Sequence, residues 1–344
     1  MRIVIGSAGR RVYLVRWFQQ ALRAAGIEGE VIVMENDPNA PSVAVADRFV
    51  RMPRYETQQY RQRLLTALAE LQPRLFFSLN DYELTALATG LADEIRAMGI
   101  IVPTLTAVKH RGCADKYTTW QMLTGVGLKT PMTALVSDTI GVQQVLSQGS
   151  DVIVKDRWGS GSSGLQRLSR HEFKYWLLQT AHDPSTLVVQ PAIEGHEYGV
   201  DIVCPLEGGV VAGVLARRKL AMRGGETSVC QTIDPTEFFD LAETLAAALG
   251  PQGLIDVDIM RTASGENYVL DINPRFGGGY PFNHLAGADI PGYYIASLSG
   301  HTNPTPWCQY RHGYTAVKHE DVVGFESLAQ HPIPNQPHTP ELHL

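Results

Sequence analysis

Apolar residues first gather over 3–5, just before the glycine turn of Gly6 to Gly9, and over 12–22 their spacing becomes helical. Residues 31–34 predict a second strand and 60–71 a second helix. A third apolar run over 74–79, a helical pattern over 83–98 and a short run over 100–102 follow. Strands alternating with helices predict a parallel, doubly wound sheet in a Rossmann-like first lobe.

Past Asp115 the pattern changes. A helix through 121–123, a strand over 130–136, a helix near 140–146 and a strand over 152–155 lead into a stretch with almost no side chains. Ser169 followed by Glu172 is a capping box that opens a helix to about Ala181. Strands are predicted over 187–190, 198–204 and 209–215, then a helix over 235–249, then strands over 254–260 and 267–272. Runs of neighbouring strands broken by single helices predict an α+β arrangement. The boundaries drawn are 1–112 for the first lobe, 113–190 for a small subdomain, 191–305 for a large one, and 306–344 for an extension whose end, from His331, reads as a loosely held tail.

A chain of 344 residues has room for two or three lobes, since single cores stop growing near ~250–300 residues. With 44% hydrophobic and 19% charged residues it reads as an ordinary globular protein. Its net charge of -6 argues against nucleic acid as a partner. The basic clusters at Gly9 to Arg11 and Arg217 to Lys219 could grip an anion locally, but each taken alone reads as a solvated face. Four scattered cysteines without a CxxC pair exclude a zinc knuckle or a disulfide framework and point to a reducing compartment. No apolar run suits a signal peptide or a membrane span, so a cytoplasmic protein without a membrane partner is expected.

Chemistry enters at three places. The strand VIVK, ending at Lys155, runs into a loop where Gly159, Gly161 and Gly164 alternate with serines, and its exposed N–H groups suit an anion; alone, such a stretch also reads as a plain hairpin. Neither GxxxxGK[ST] nor GxGxxG is present, which counts against a P-loop enzyme and a nicotinamide-dependent oxidoreductase. In QPAIEGHEYGVDI, a strand edge stopping at proline frees backbone groups for an aromatic base, and Glu197 could accept ribose hydroxyls, although a bent hairpin with solvated carboxylates explains the same residues. Strongest is Asp256-Val-Asp258 on one strand with Asp271-Ile-Asn273-Pro-Arg275 ending the next. A period of two puts Asp256 with Asp258, and Asp271 with Asn273, on single faces. Hard oxygens there suit magnesium, and Arg275 suits an anionic substrate or a transferring phosphoryl group.

In this order, Asp115-Lys116, VIVK with its loop, QPAIEGHEYGVDI and LDINPRFGGGYP resemble the ATP-grasp superfamily, closest to its carbamoyl-phosphate-synthase-large-chain-like branch, over about residues 1–300. The resemblance implies two α+β lobes that clamp ATP behind a Rossmann-like lobe. It implies that Lys116 and Lys155 meet the phosphates under a lid of Ser160, Gly161, Ser162, Ser163 and Gly164. Gln190 and the backbone at Ala192 and Ile193 would hold adenine, Glu197 the ribose, and Asp258, Asp271 and Asn273 magnesium, with manganese an alternative. Arg275 would steady an acyl phosphate. Arg218, Lys219 and Arg223 fall where relatives handle substrate and phosphate, and Asp81 and Glu83 belong to an element that caps a helix, joins lobes or touches substrate. His196 and His284 read as ordinary hydrogen-bonded histidines.

The expected activity is a magnesium- and ATP-dependent ligase that joins a small carboxylate to an amine through an acyl phosphate, with a homodimer allowed by the resemblance. A bicarbonate-using carboxylase or carbamoyl-phosphate type and a nucleotide sensor without turnover are the alternatives.

Overall fold

The computed structural model describes residues 1–159, 164–300 and 306–324. β1 (Arg2–Gly6), β2 (Glu30–Glu35), β3 (Arg48–Arg51) and β4 (Leu75–Ser78) form a parallel sheet in the order β3-β2-β1-β4, and Ile101 adds a parallel bridge beside Leu75. The alternation along β1 explains the layers. Ile3 and Ile5 face α1 (Val12–Ala24) through Leu14 and Phe18, while Val4 faces α2 (Gln59–Leu71) through Leu64 and Leu68. A sheet of near-continuous apolar strands needs both faces covered, and these helices cover them. The expected helix over 83–98 divides into α3 (Asp81–Ala86) and α4 (Ala92–Ala97), because Gly90 between them takes φ +114°.

α5 (Ala107–Ala114) and α6 (Lys116–Gly125) lead to a small antiparallel sheet. It contains β5 (Ala134–Leu135), β6 (Asp151–Asp156), β7 (Gln166–Ser169) and β8 (Leu187–Pro191) in the order β5-β8-β6-β7. α7 (Thr139–Gln148) and α8 (Arg170–Gln179) pack on it, and the predicted capping box of Ser169 and Glu172 opens α8.

A third sheet, of six strands, joins β9 (His196–Val203), β10 (Gly213–Arg223), β11 (Glu226–Ile233), β12 (Leu254–Arg261), β13 (Asn267–Asn273) and β14 (Thr315–Val317) in the order β13-β12-β9-β10-β11-β14. α9 (Phe239–Leu249) covers one face together with Leu123. α10 (Tyr280–Ala286) and α11 (Ile290–Leu298) connect the sheet to the first lobe, and Phe276, Tyr280 and Tyr294 share one core with Phe18 and Phe77.

The strand expected over 209–215 instead runs to Arg223, so Arg217 to Lys219 lie inside β10. Arg217 is 1% exposed, which corrects the reading of this cluster as a solvated face. Among the described residues no helix is long and apolar enough to cross a membrane.

Candidate active site

Two lysines line a cleft of about 500 Å³, Lys116 at the start of α6 and Lys155 in β6 of the small sheet. Asp115 caps α6, accepting from the backbone N–H of Tyr117, and also takes both arms of the Arg157 guanidinium at 2.8 and 2.6 Å. That clamp fixes Lys116, the next residue, whose Nζ donates to the Gly159 carbonyl at 2.8 Å. Lys155 lines the cleft near the end of β6. Burial pulls its ammonium down to about 8, while Asp271 and then Asp258 and Glu197 act in the other direction. Lys155 shares the cleft with Asp258 and Asp271 of the large sheet.

There the pairing register decides the chemistry. Asp258 lies opposite Asp271, and Asp256 opposite Asn273, so all four share one face as the period of two requires. The register slips just beyond Asp258, where Leu270 bulges out. Burying so many carboxylates is costly without cations, and β10 supplies two of them, at Arg217 and Lys219. Arg217 donates to Asp201 at 2.6 Å and Asp256 at 2.5 Å, with Asn283 at 3.2 Å. Lys219 Nζ donates to Glu197 and Asp258, both at 2.6 Å. Burial opposes its charge, but Asp258 and Glu197 outweigh burial and hold the proton more tightly than in an ordinary lysine.

The Asp271 carboxylate makes no hydrogen bond or ion pair among the described residues, and no three His, Cys, Asp or Glu side chains there gather as a metal cluster. A divalent ion at this face would have at most two carboxylates, Asp258 and Asp271, with the Asn273 amide. The donor set fits magnesium, which keeps several waters and takes oxygens from phosphates.

Arg275 reaches across to the first lobe. Its Nε and Nη2 meet the Asp81 carboxylate at 2.6 and 2.8 Å, Nη2 also donates to Asn273 at 3.2 Å, and Nη1 lies 3.4 Å from the Phe276 carbonyl. Burial opposes the charge of Arg275 and Asp81 restores it. Asn80 caps α3 through its side chain and so orients Asp81. The glycines after Arg275 are needed for space: a Cβ on Gly277 would lie 2.1 Å from Asp256, and one on Gly279 2.2 Å from Arg217.

The cleft thus brings together Lys116, Lys155, Gln190, Ala192, Ile193, Glu197, Lys219, Asp258, Asp271, Asn273 and Arg275. Gly164 takes φ +72° beside Asp156, and Ser160, Gly161, Ser162 and Ser163 lie outside the described residues. Gly164 and four expected substrate or catalytic residues do not line the cleft: Asp81 reaches it only through its pairing with Arg275, and Arg218, Arg223 and Glu83 lie elsewhere. Arg218 points from the opposite face of β10 to His196 at 3.0 Å, Arg223 is exposed near the hairpin tip, and Glu83 is buried in the first lobe against Tyr60 and Ser78. His284 accepts or donates at 2.9 Å to Tyr280 and stacks on Trp17 at 3.7 Å. Sequence reasoning missed Arg11, Arg217, Glu226 and Lys318 as cleft residues. The polar register of β10 was the available signal for Arg217.

A cleft between two antiparallel sheets, with lysines on one wall and acidic strand ends on the other behind a parallel-sheet lobe, defines a protein built to clamp an anionic ligand. Residues 113–279 match the family of the ATP-grasp domain, and residues 3–103 match the PylC-like N-terminal domain. The chain thus carries an ATP-grasp domain over residues 113–279. No curated protein matches it by sequence. Among solved structures it is similar to biotin carboxylase from Campylobacter jejuni as a β,γ-ATP complex, with 15% identity, 88% of this chain and 72% of that one covered, and a TM-score of 0.67. It is also similar to N5-carboxyaminoimidazole synthetase from Staphylococcus aureus complexed with ADP (15% identity, 88% and 78% covered, TM-score 0.68). A third is the L-amino acid ligase from Bacillus licheniformis (17%, 91% and 78%, 0.65). At such identities the likeness is one of fold.

Proposed function

We propose that the chain is an ATP-dependent carboxylate–amine ligase. A carboxylate oxygen attacks the γ-phosphorus of ATP, the bond to ADP breaks, and an acyl phosphate forms. An amine then attacks the acyl carbon, the amine gives up a proton, and phosphate departs carrying the former carboxylate oxygen. The observation that carries this reading is the opposition of Lys116 and Lys155 to the cross-strand pair of Asp258 and Asp271, with Arg275 next to Asn273. Phosphoryl transfer asks a protein mainly for position and charge, and these residues offer both.

Lys116 and Lys155 would bind the phosphates, Gln190 and the backbone to Ile193 the adenine, and Glu197 the ribose through the oxygen that Lys219 leaves unused. Asp258, Asp271 and Asn273 would hold magnesium, which supplies Lewis-acid charge on the phosphoryl oxygens when bound. Arg275 and Lys219 would neutralise the acyl phosphate. Similarity in fold to structures with ADP and an ATP analogue supports the nucleotide, and similarity to an L-amino acid ligase supports amide formation.

The test is phosphate release from ATP with a panel of heavy-oxygen-labelled carboxylates and amines. The ligase transfers label from the carboxylate to the phosphate only for an accepted acid. Phosphate release driven by bicarbonate alone would favour the carboxylase reading, and tight nucleotide binding without turnover would favour a sensor.

A further inference from the structure

At the β11 and β14 edge of the large sheet, opposite the edge that carries Asp271, the cleft receives charged side chains from three separate parts of the chain. Arg11 comes from the turn after β1, Glu226 from the start of β11, and Lys318 from just past β14. The backbone N–H of Lys318 is pinned to the Ser228 carbonyl at 2.8 Å. Lys318 Nζ lies 3.2 Å from one Glu226 oxygen and Arg10 3.5 Å from the other. Arg11 Nη1 donates at 2.8 Å to the Phe276 carbonyl, the same oxygen that lies 3.4 Å from Arg275. Two guanidinium groups therefore converge on one carbonyl.

Their states differ. Arg275 is answered by Asp81, whereas among the described residues Arg11 has no carboxylate partner. It meets the Phe276 carbonyl and the Tyr13 hydroxyl. Two cations, Arg10 and Lys318, contact one carboxylate here and Arg11 adds a third nearby, in a chain whose net charge is -6. A half-buried guanidinium left without an anion is unfavourable, and its planar fork matches a carboxylate. For Glu226 burial works against ionisation, but Lys318, then Arg10 and Arg11, outweigh it and hold the carboxyl below the usual range. An ionised Glu226 would repel a phosphate dianion and attract an ammonium group. The mixed signs match a zwitterion.

We propose that this corner binds a substrate amino acid, with its unreacted carboxylate on Arg11 and Lys318 and its amino group toward Glu226. The assignment rests on the ligase reading only in making that amino acid the amine partner.

The experiment measures binding of the proteinogenic L-amino acids and of their carboxamides to the full chain loaded with magnesium and ADP, by calorimetry, alongside phosphate release from ATP. At least one amino acid should bind, and Arg11→Gln should weaken it about 10- to 100-fold, as expected for a lost charge-assisted pair. The matching carboxamide should bind wild type as weakly as the variant binds the acid, and Arg11→Gln should add nothing to that loss. Lys318→Met should act in the same direction, and ADP affinity should stay unchanged in both variants. Binding of no panel member, or equal weakening of acid and carboxamide by Arg11→Gln, overturns the proposal. If binding follows the expected pattern but no acid gives phosphate release, the amino-acid site stands and the ligase reading fails. If amines without a carboxylate turn over and Arg11→Gln is silent, the ligase reading stands and the site fails.

Discussion

Arg217 and Lys155 illustrate two ways of keeping a cation under the surface of the cleft. Arg217 is enclosed by Asp201 and Asp256, with side-chain exposures of 2%, 0% and 9% across the three. Replacing it with methionine strands two carboxylates, and breaking a buried pair costs about 3–5 kcal/mol. Urea unfolding of Arg217→Met should shift to a lower midpoint by that amount, with part of the loss recovered when Asp201→Asn is added. A midpoint equal to that of wild type would show that the triad contributes nothing. Lys155 has no such enclosure, and burial, against the pull of Asp271, brings it down to about 8. Bound phosphates raise a neighbouring ammonium's pKa, so nucleotide affinity is complete below the free-state value and declines as pH rises through it, by up to about tenfold per pH unit. Titrating the ADP dissociation constant from about pH 7 to about pH 9.5 should reveal the decline in wild type and not in Lys155→Arg, which stays charged. Two equally flat profiles would remove Lys155 from the phosphate site.

At the scale of elements, β10 and the glycine turn after β13 depend on each other. A methyl group on Gly279 would sit 2.2 Å from Arg217 Nε, so Gly279→Ala must push the guanidinium off its carboxylates. Overpacking of this kind costs about 1–3 kcal/mol. In an Arg217→Met background the clash is gone, and the added cost of Gly279→Ala should shrink toward zero; additive losses in unfolding experiments would refute the coupling. The same elements show what could be read in advance. From Asp271 to Asn273, past the bulge at Leu270, β13 pairs regularly with β12, and that is why the facing of Asp258 and Asp271 was legible. β10 was not, because Arg217, Arg218 and Lys219 read as polar surface until β9 and β11 flank them and the acids of β9 and β12 meet them. α11 escaped notice because its sequence, IPGYYIASL, is apolar nearly all round and offers no periodic contrast. Arg11 stood in a cluster able to grip an anion, but its neighbours in the cleft were not legible, since Phe276 lies 265 positions further along the chain.

Across the whole molecule the cores are unequal partners. The first lobe and the large sheet share one core, in which Phe18 and Phe77 of one touch Phe276 and Tyr294 of the other. The small sheet instead has a core of its own, with Val145, Val152, Val154 and Phe173 at its centre. Its described polar ties to the rest include the Arg157 clamp on Asp115 and the contact of Arg167 with Glu194. A unit with a closed core and few outside ties can open without the remainder, whereas two lobes with a common core unfold together. Phe173→Ala removes a ring stacked on Trp176 and should cost about 3–5 kcal/mol within the small unit alone. Hydrogen exchange should accelerate at the amides of β6 and β8 and stay at wild-type rates in β1, β9 and β12. Tyr294→Ala should do the reverse, speeding exchange in β1 and β9 together. Equal acceleration in all three sheets by Phe173→Ala would mean that the chain opens as one cooperative body, and the lysine wall would then move only with the acidic wall it faces.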